Sequence, residues 1–171
     1  MSKKYELTDE TIKVDGHTLH RIRAVRCFSD IEAGDLGGWI EKEENLSQIG
    51  DAWIGGNAKV YGMAKVYGHA MVFGKAEICG NAFVRSYAEI CGDAVVKNNE
   101  DYIVFKNFWS SGRHFTWTKS NNMWKVGCFY GTCEELIKKA YKDSERSGRE
   151  YERVVRYVES ILEDEKKGGE E

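Results

Sequence analysis

One six-residue unit repeats eight times in this chain without an insertion. Between residues 48 and 99 an alanine recurs at every sixth position, a β-branched aliphatic residue follows two positions later, and glycine follows in most units. The alanines are Ala52, Ala58, Ala64, Ala70, Ala76, Ala82, Ala88 and Ala94, and the aliphatic residues are Ile54, Val60, Val66, Val72, Ile78, Val84, Ile90 and Val96. A short fixed period of this kind indicates a solenoid, in which each coil packs only on its neighbours.

The spacing within the unit predicts its local structure. Side chains two positions apart in a strand lie on the same face, so each alanine and the aliphatic residue after it point into the core. The glycine position supplies a turn, because glycine adopts backbone angles that other residues avoid. A flat side and a corner, repeated three times, close a triangular coil.

This pattern resembles the hexapeptide-repeat left-handed parallel β-helix, in which three units of six residues form one coil. The resemblance implies a mainly β fold with about three coils. It also favours assembly as a homotrimer, since proteins with this fold are commonly trimers. It does not indicate a chemistry, because the same coil occurs in acyltransferases, carbonic anhydrases and plain scaffolds.

The repeat divides the chain into three predicted parts. Residues 1–45 are expected to form an N-terminal hairpin and cap, residues 46–99 the left-handed β-helix, and residues 100–171 a C-terminal α+β appendage. Alternating residues on either side of the turn signal Asp15-Gly16 predict the hairpin.

The segment before the repeat is expected to close the open end of the core. Leu36, Trp39 and Ile40 are predicted to cover it, since an uncovered solenoid exposes apolar surface and strand edges. Leu46 and Gln48 are interpreted as the alanine and aliphatic positions of an imperfect first unit.

Beyond the repeat, the sequence predicts a three-stranded meander followed by two helices. Alternating residues separated by turn signals predict the strands. Thr132 and Glu135 form a capping box, which predicts a helix over about residues 132–143. Ser147 and Gly148 are expected to end this helix before a second one that carries a single apolar stripe.

One outer side of the predicted coil is too apolar to be a solvent-exposed surface. Trp53, Met71 and Phe73 gather there with Glu89 and Cys91. We expect this side to be covered by the C-terminal segment or by another subunit, and the resemblance favours another subunit.

Composition limits the classes of function. A net charge of −3 argues against general nucleic-acid binding and against binding to anionic membranes. No apolar run approaches the roughly 20 residues that span a bilayer, and the first residues lack the apolar core of a signal peptide. Five cysteines without a Cys-x-x-Cys pair favour reduced, packing cysteines. We therefore expect a cytoplasmic protein.

An acyltransferase is one hypothesis that the resemblance raises. In such enzymes a histidine acts as general base and acyl-CoA is the substrate, and His69 is the histidine within the repeat. No loop interrupts the repeat to build an acceptor pocket, so a surface position for His69 is favoured. His17, His20 and His114 lie in other segments, so we expect neither the three-histidine metal site of carbonic anhydrases nor a cofactor.

A non-enzymatic binding module is the other main hypothesis. The segment from residue 106 to residue 124 is dense in aromatic rings that can stack on bases and in basic groups that can meet phosphates. Together with two arginines on the return strand of the hairpin, the candidate ligand-binding residues are Arg21, Arg23, Lys106, Trp109, Arg113, His114, Trp117, Lys119 and Trp124. The alternative is that the rings form the core of a small sheet and that the arginines lie on a solvated strand face.

A second resemblance covers three segments outside the repeat. Residues 4–12, 34–41 and 127–136 are similar to small hexapeptide-repeat proteins of phages and prophages, often labelled transferases or polymer-forming proteins. The resemblance implies a phage-type protein in the cytoplasm of a bacterial host. By analogy with phage proteins that evade immunity by sequestering cyclic-nucleotide or ADP-ribose-type signals, we favour binding of a small anionic, nucleotide-like ligand. We expect its site at seams between subunits or in the C-terminal appendage. An acyltransferase and a structural or protein-binding scaffold stay as alternatives.

Overall fold

The computed structural model describes residues 2–168 as three successive parts. The N-terminal part contains β1 (Tyr5–Val14), β2 (His17–Ala24) and β3 (Leu36–Ile40). The repeat contains β4 (Trp53–Ile54), β5 (Lys59–Val60), β6 (Lys65–Val66), β7 (Met71–Val72), β8 (Glu77–Ile78), β9 (Phe83–Val84), β10 (Glu89–Ile90) and β11 (Val95–Val96). The C-terminal part contains β12 (Tyr102–Lys106), β13 (His114–Thr118), β14 (Met123–Val126), β15 (Phe129–Gly131), α1 (Cys133–Asp143) and α2 (Glu145–Gly168).

The two-residue strands of the repeat stack in parallel on strands eighteen residues away. The first side of the coil is β4, β7 and β10, the second is β3, β5, β8 and β11, and the third is β6 and β9. All the repeated alanines and aliphatic residues are buried in one continuous core. The mainly β fold with about three parallel coils is therefore confirmed.

The first coil starts earlier in the chain than the repeat suggests. β3 pairs antiparallel with β2 of the hairpin but parallel with β5, so Ile40 lies above Val60 as a core residue of the coil. Ile40 is completely buried, whereas Leu36, which was expected to cover the core, is 52% exposed. The hairpin and the coil thus share one sheet.

The predicted alignment of the first unit is wrong by two residues. Leu46, rather than Gln48, pairs with Val66 and occupies the aliphatic position. The buried side chain of Asn45 occupies the corner before it and donates from Nδ2 to the carbonyl oxygen of Ala64 at 2.8 Å. Because this corner residue is polar, the unit does not match the alanine pattern of the regular units.

The hydrogen bonds that flank the two-residue strands run in one direction between coils. In these bonds the N–H groups of one coil donate to carbonyls of the next coil, as Trp53 does to Ala70 at 3.0 Å. At these flanking positions the first coil therefore leaves carbonyls without a partner in the coil, and the last coil leaves N–H groups. Because unpaired backbone groups at a sheet edge are costly or adhesive, both ends need complementary groups.

The N-terminal segment supplies donors to the first end. Lys4 Nζ donates to the carbonyl oxygen of Ala52 at 2.7 Å, and the Tyr5 hydroxyl donates to that of Leu46 at 2.7 Å. Both side chains are fully buried, so these bonds are shielded from water.

The segment after the repeat supplies acceptors to the last end. Side-chain oxygens of this segment accept the free N–H groups in four pairs: Asn99 with Phe83, Thr116 with Glu89, Ser120 with Val95, and Asp101 with Lys97, at 2.8–3.0 Å. The C-terminal sheet is thereby fastened to the last coil.

The apolar first side is covered within the chain at its upper end. Trp53 is 2% exposed, and its ring lies 5.5 Å from that of Phe28 and 6.5 Å from that of Tyr5, centroid to centroid. The cover thus comes from the N-terminal segment, which was not among the expected sources. Met71 and Phe73, lower on the same side, are half-buried.

The C-terminal sheet has one strand more than predicted. Its order is β12-β13-β14-β15 with antiparallel pairing throughout, and the additional strand, β15, has only three residues. A strand this short leaves too few alternating residues to be detected.

The first helix begins where the capping box places it, and the second begins earlier than expected. Thr132 Oγ1 accepts from the Glu135 N–H at 3.3 Å, and α1 runs from Cys133 to Asp143. Ser147 and Gly148 lie buried inside the first turns of α2, where Gly148 packs against the ring of Tyr141. Within residues 2–168, no helix combines the length and apolar character needed to cross a bilayer.

Lys4 makes the stability of the fold depend on pH. Its ammonium group contacts backbone carbonyls of Gly50 and Ala52 and lies 5.1 Å from the ring centroid of Phe28. Burial, assisted by the charge of Arg26, lowers the pKa of Lys4 from 10.5 to about 8. The folded protein therefore holds this proton less tightly than the unfolded chain does.

We expect the wild type to gain stability relative to a Lys4→Met variant as the pH rises from 8 to 10. In this window the unfolded chain binds more protons at Lys4, so deprotonation favours the folded state by roughly 2 kcal/mol. Urea unfolding of both proteins at the two pH values measures the change, and all other titrating groups cancel in the difference. A stability difference that stays constant with pH would show that Lys4 is not held in this buried state.

Candidate functional site

A column of four side chains runs down one corner of the coil. Asp51, His69 and Tyr87 are eighteen residues apart, so they occupy the same corner on successive coils. The rings of His69 and Tyr87 stack with centroids 4.8 Å apart and planes inclined by 4°. His114, at the start of β13, continues the stack below Tyr87 at 4.4 Å and 6°. The column therefore crosses the seam between the coil and the C-terminal sheet.

Asp51 orients the imidazole at the top of the column. Its Oδ2 atom lies 3.0 Å from Nδ1 of His69, and both side chains are about half exposed. A carboxylate on one ring nitrogen sets the tautomer and leaves the other nitrogen as a potential proton acceptor. This pairing is chemically competent for general base catalysis as well as for binding.

A cleft of about 370 Å³ opens beside the column. We call it the seam cleft. It is lined by His69, Tyr87, Glu89, Arg113, His114 and Gly127. Glu89 is 3.7 Å from Lys125, whereas Arg113 forms no ion pair with any residue in the range 2–168. The cleft thus holds one guanidinium whose charge is not neutralised by a neighbour.

Gly127 gives Arg113 the room that it occupies. Its φ of +55° lies in the left-handed region, and a Cβ atom at this position would collide with the guanidinium. Glycine here satisfies the turn between β14 and β15 and lets the arginine lie against the backbone.

The structure brings together two of the predicted ligand-binding residues, Arg113 and His114, with His69. The three predicted tryptophans lie elsewhere. Trp117 and Trp124 are each 1% exposed and face each other across β13 and β14, and Trp109 is 7% exposed in the same core. Their faces are covered by protein, as in the alternative that assigned them to the core of a small sheet.

The other predicted basic residues are dispersed. Lys106 ends β12 opposite His114 but does not line the cleft, and Lys119 pairs with Glu165 at 2.6 Å. On the distant hairpin, Arg21 lies 5.0 Å from the ring centroid of Trp39. Arg23, also on the hairpin, pairs with Glu6 at 2.5 Å. These four residues therefore do not converge with Arg113.

Sequence reasoning missed Asp51, Tyr87, Glu89 and Gly127 as neighbours of the site. The period of eighteen residues, applied to the corner positions and not only to the sides, places Asp51, His69 and Tyr87 in one column. No pattern in the sequence links this column to His114.

Two further observations concern possible metal ligands and the thiol of Cys91. Within the described residues, no group of three or more His, Cys, Asp or Glu side chains is arranged to hold a metal ion. Burial raises the pKa of Cys91, beside the last coil, to about 11. Its thiol is therefore protonated at neutral pH and a poor nucleophile.

Comparison with known proteins gives one short similarity. No family model matches the chain. Over 60 residues the chain is 38% identical to a protein of Escherichia coli (strain K12) named "Uncharacterized acetyltransferase YdcK". The match covers 30% of this chain and 18% of that protein, so the chain spans less than a fifth of its relative's length. The similarity and the solenoid together agree with a hexapeptide-repeat β-helix.

Proposed function

We propose that this protein binds a small anionic ligand in the seam cleft without converting it. The observation that carries the proposal is the guanidinium of Arg113, which has no ion-pair partner among residues 2–168 and lies with two histidines in one cleft of about 370 Å³. An arginine fork matches the oxygens of a phosphate or carboxylate.

The lining of the cleft favours a nucleotide-like ligand held by its edges. Both faces of Tyr87 are covered by histidine rings, so a base cannot stack on it. Tyr87 as a whole remains 48% exposed, and the Glu89 carboxylate can accept from sugar hydroxyls or amino groups. Arg113 would take the phosphate.

The biological role that we propose is sequestration of a nucleotide signal by a phage-type protein in its bacterial host, with the protein assembled as a homotrimer. The resemblance of the segments outside the repeat to phage proteins supports the role, and the resemblance of the repeat supports the assembly. Light scattering of the purified protein measures the oligomeric state directly.

Calorimetry with ADP-ribose and with a cyclic dinucleotide tests the binding proposal. We expect the wild type to bind at least one probe, and His114→Ala and Arg113→Met each to weaken binding at least tenfold, since charge-assisted contacts contribute about 1.5–3 kcal/mol. Lys106→Met is the matched control, because Lys106 lies opposite His114 on the next strand but outside the cleft. The proposal fails if neither probe binds the wild type, or if the control weakens binding as much as His114→Ala.

A second candidate function, acyl transfer, is favoured by the contact between His69 and Asp51 and by the name of the relative from Escherichia coli. In this reaction His69 would take the proton of an acceptor hydroxyl while the oxygen of that hydroxyl attacks the thioester carbonyl of an acyl-CoA. The carbon–sulfur bond then breaks, and the CoA thiolate recovers the proton from the imidazolium.

Release of CoA from acetyl-CoA in the presence of amine and hydroxyl acceptors tests this candidate. If it holds, His69→Ala abolishes acceptor-dependent release, and Asp51→Asn lowers the rate about 10²-fold because the imidazole loses its orienting carboxylate. An uninterrupted coil with no acceptor loop makes us expect no turnover by the wild type. Acceptor-dependent turnover lost in His69→Ala would replace the binding proposal with the enzymatic one.

A further inference from the structure

A second cleft, of about 280 Å³, lies wholly within the C-terminal part. It is bounded by the turn at residues 107–113, by the end of β14 and the start of β15, and by α1 and the start of α2. We call it the helix cleft. It is separate from the seam cleft except for Arg113, which lines both.

One wall of the helix cleft is apolar. Val126, Phe129 and Leu136 line it and belong to the hydrophobic core beneath the sheet and helices. An apolar wall of this kind favours the hydrocarbon part of a ligand, since burying it removes apolar surface from water.

A buried hydroxyl with an unused proton lies among the lining residues. Tyr151 is 7% exposed, and its oxygen accepts from Asn107 Nδ2 at 3.1 Å. Among residues 2–168 no group accepts a hydrogen bond from the Tyr151 hydroxyl. Tyr151 and Asn107 both line the cleft. Burial raises the pKa of Tyr151, so the hydroxyl stays protonated and can donate to a ligand. A buried donor without an acceptor carries a free-energy cost that such a ligand would remove.

The charges around the helix cleft sum to +1. Arg113 and Lys139 carry positive charge and Asp143 negative charge, and none forms an ion pair with a residue in the described range. On nearby α2, by contrast, Arg149 pairs with Glu145, and Arg153 pairs with Glu150. A single excess positive charge suits a monoanion, and the Asp143 carboxylate repels more highly charged phosphates.

From these observations we propose that the helix cleft binds a small amphipathic monocarboxylate. Its carboxylate contacts Arg113 and accepts the proton of the Tyr151 hydroxyl, with Lys139 adding attraction at the mouth. Its hydrocarbon part lies against Val126, Phe129 and Leu136. This site shares Arg113 with the proposed nucleotide-like site at the seam and differs from it in its other contacts and in ligand chemistry.

Calorimetry with phenylacetate, its uncharged amide phenylacetamide, and inorganic phosphate tests the proposal on the full chain. We expect phenylacetate to bind at least tenfold more tightly than the other two probes. Tyr151→Phe and Lys139→Met should each weaken phenylacetate binding about fivefold or more. Lys138→Met, the neighbouring lysine on α1 that does not line the cleft, should have no effect.

Two outcomes overturn the proposal: equal binding of phenylacetate and phenylacetamide, or equal binding of phenylacetate and phosphate. Lys139 is exposed, so its variant remains informative if Tyr151→Phe fails to fold. His114→Ala separates the two sites, because it should weaken nucleotide binding at the seam at least tenfold and leave phenylacetate binding unchanged.

Discussion

Replacing Trp53 with alanine should lower the free energy of unfolding by about 3–5 kcal/mol. The ring is 2% exposed and fills the space between the first side of the coil and the N-terminal segment, in edge contact with Tyr5 and Phe28. Its removal leaves a cavity that the short, hydrogen-bonded strands around it cannot collapse to fill.

Chemical denaturation of the wild type and of two tryptophan variants measures this effect. Trp39→Ala is the matched control, since Trp39 is only partly buried on the outside of the second side, where Arg21 covers it. We expect the control to lose about 1 kcal/mol, mainly through lost stacking. Equal losses in the two variants would mean that the N-terminal segment does not seal the coil at Trp53.

Gly38→Ala should cost about 3 kcal/mol, although it adds a single methyl group. A Cβ atom at Gly38 would lie 2.5 Å from the carbonyl oxygen of Ala58 and 2.6 Å from Cγ2 of Ile54. The first of these atoms belongs to the backbone of the neighbouring coil, so it cannot rotate away. β3 would have to shift, and with it the junction of hairpin and coil.

Gly62→Ala separates crowding from backbone preference. Gly62 has a φ of +68°, but the nearest atom to a Cβ there is 3.7 Å away. Only the left-handed conformation is then penalised, at about 1 kcal/mol. In thermal or urea unfolding we therefore expect Gly38→Ala to be well below Gly62→Ala in stability. The reverse order would contradict the tight approach of β3 to the coil.

The core of the coil could be predicted from the sequence because its geometry is local. Ala and Val two residues apart in a strand lie on the same face. The same spacing recurs on every side of the coil, so each side buries an equivalent pair. Ile40, by contrast, joins the coil through pairing of β3 with β5, twenty residues later in the chain. No periodic signal marks it, because β3 also belongs to the hairpin sheet.

The candidate site was predicted only in part because it depends on contacts between a repeating and a non-repeating segment. Arg113 and His114 were recognisable by residue type, but their approach to Tyr87 results from the fastening of the C-terminal sheet to the last coil. By residue type alone, Trp117 and Trp124 look the same as tryptophans that stack on a ligand. What distinguishes them is the packing of α1 and α2 on their face of the sheet, which sequence periodicity does not specify.

The complementary groups at the two ends of the coil have a consequence for how such a protein can change its length. The donors of the N-terminal segment and the acceptors of the C-terminal segment each match a coil end, not a particular coil. Duplication of eighteen residues adds a full screw turn and returns both ends to the same orientation, with one more level in the corner column. Duplication of six rotates the C-terminal sheet to another side of the triangle and separates His114 from Tyr87. Evolution by tandem duplication in this architecture is therefore restricted to whole turns if the seam is to survive.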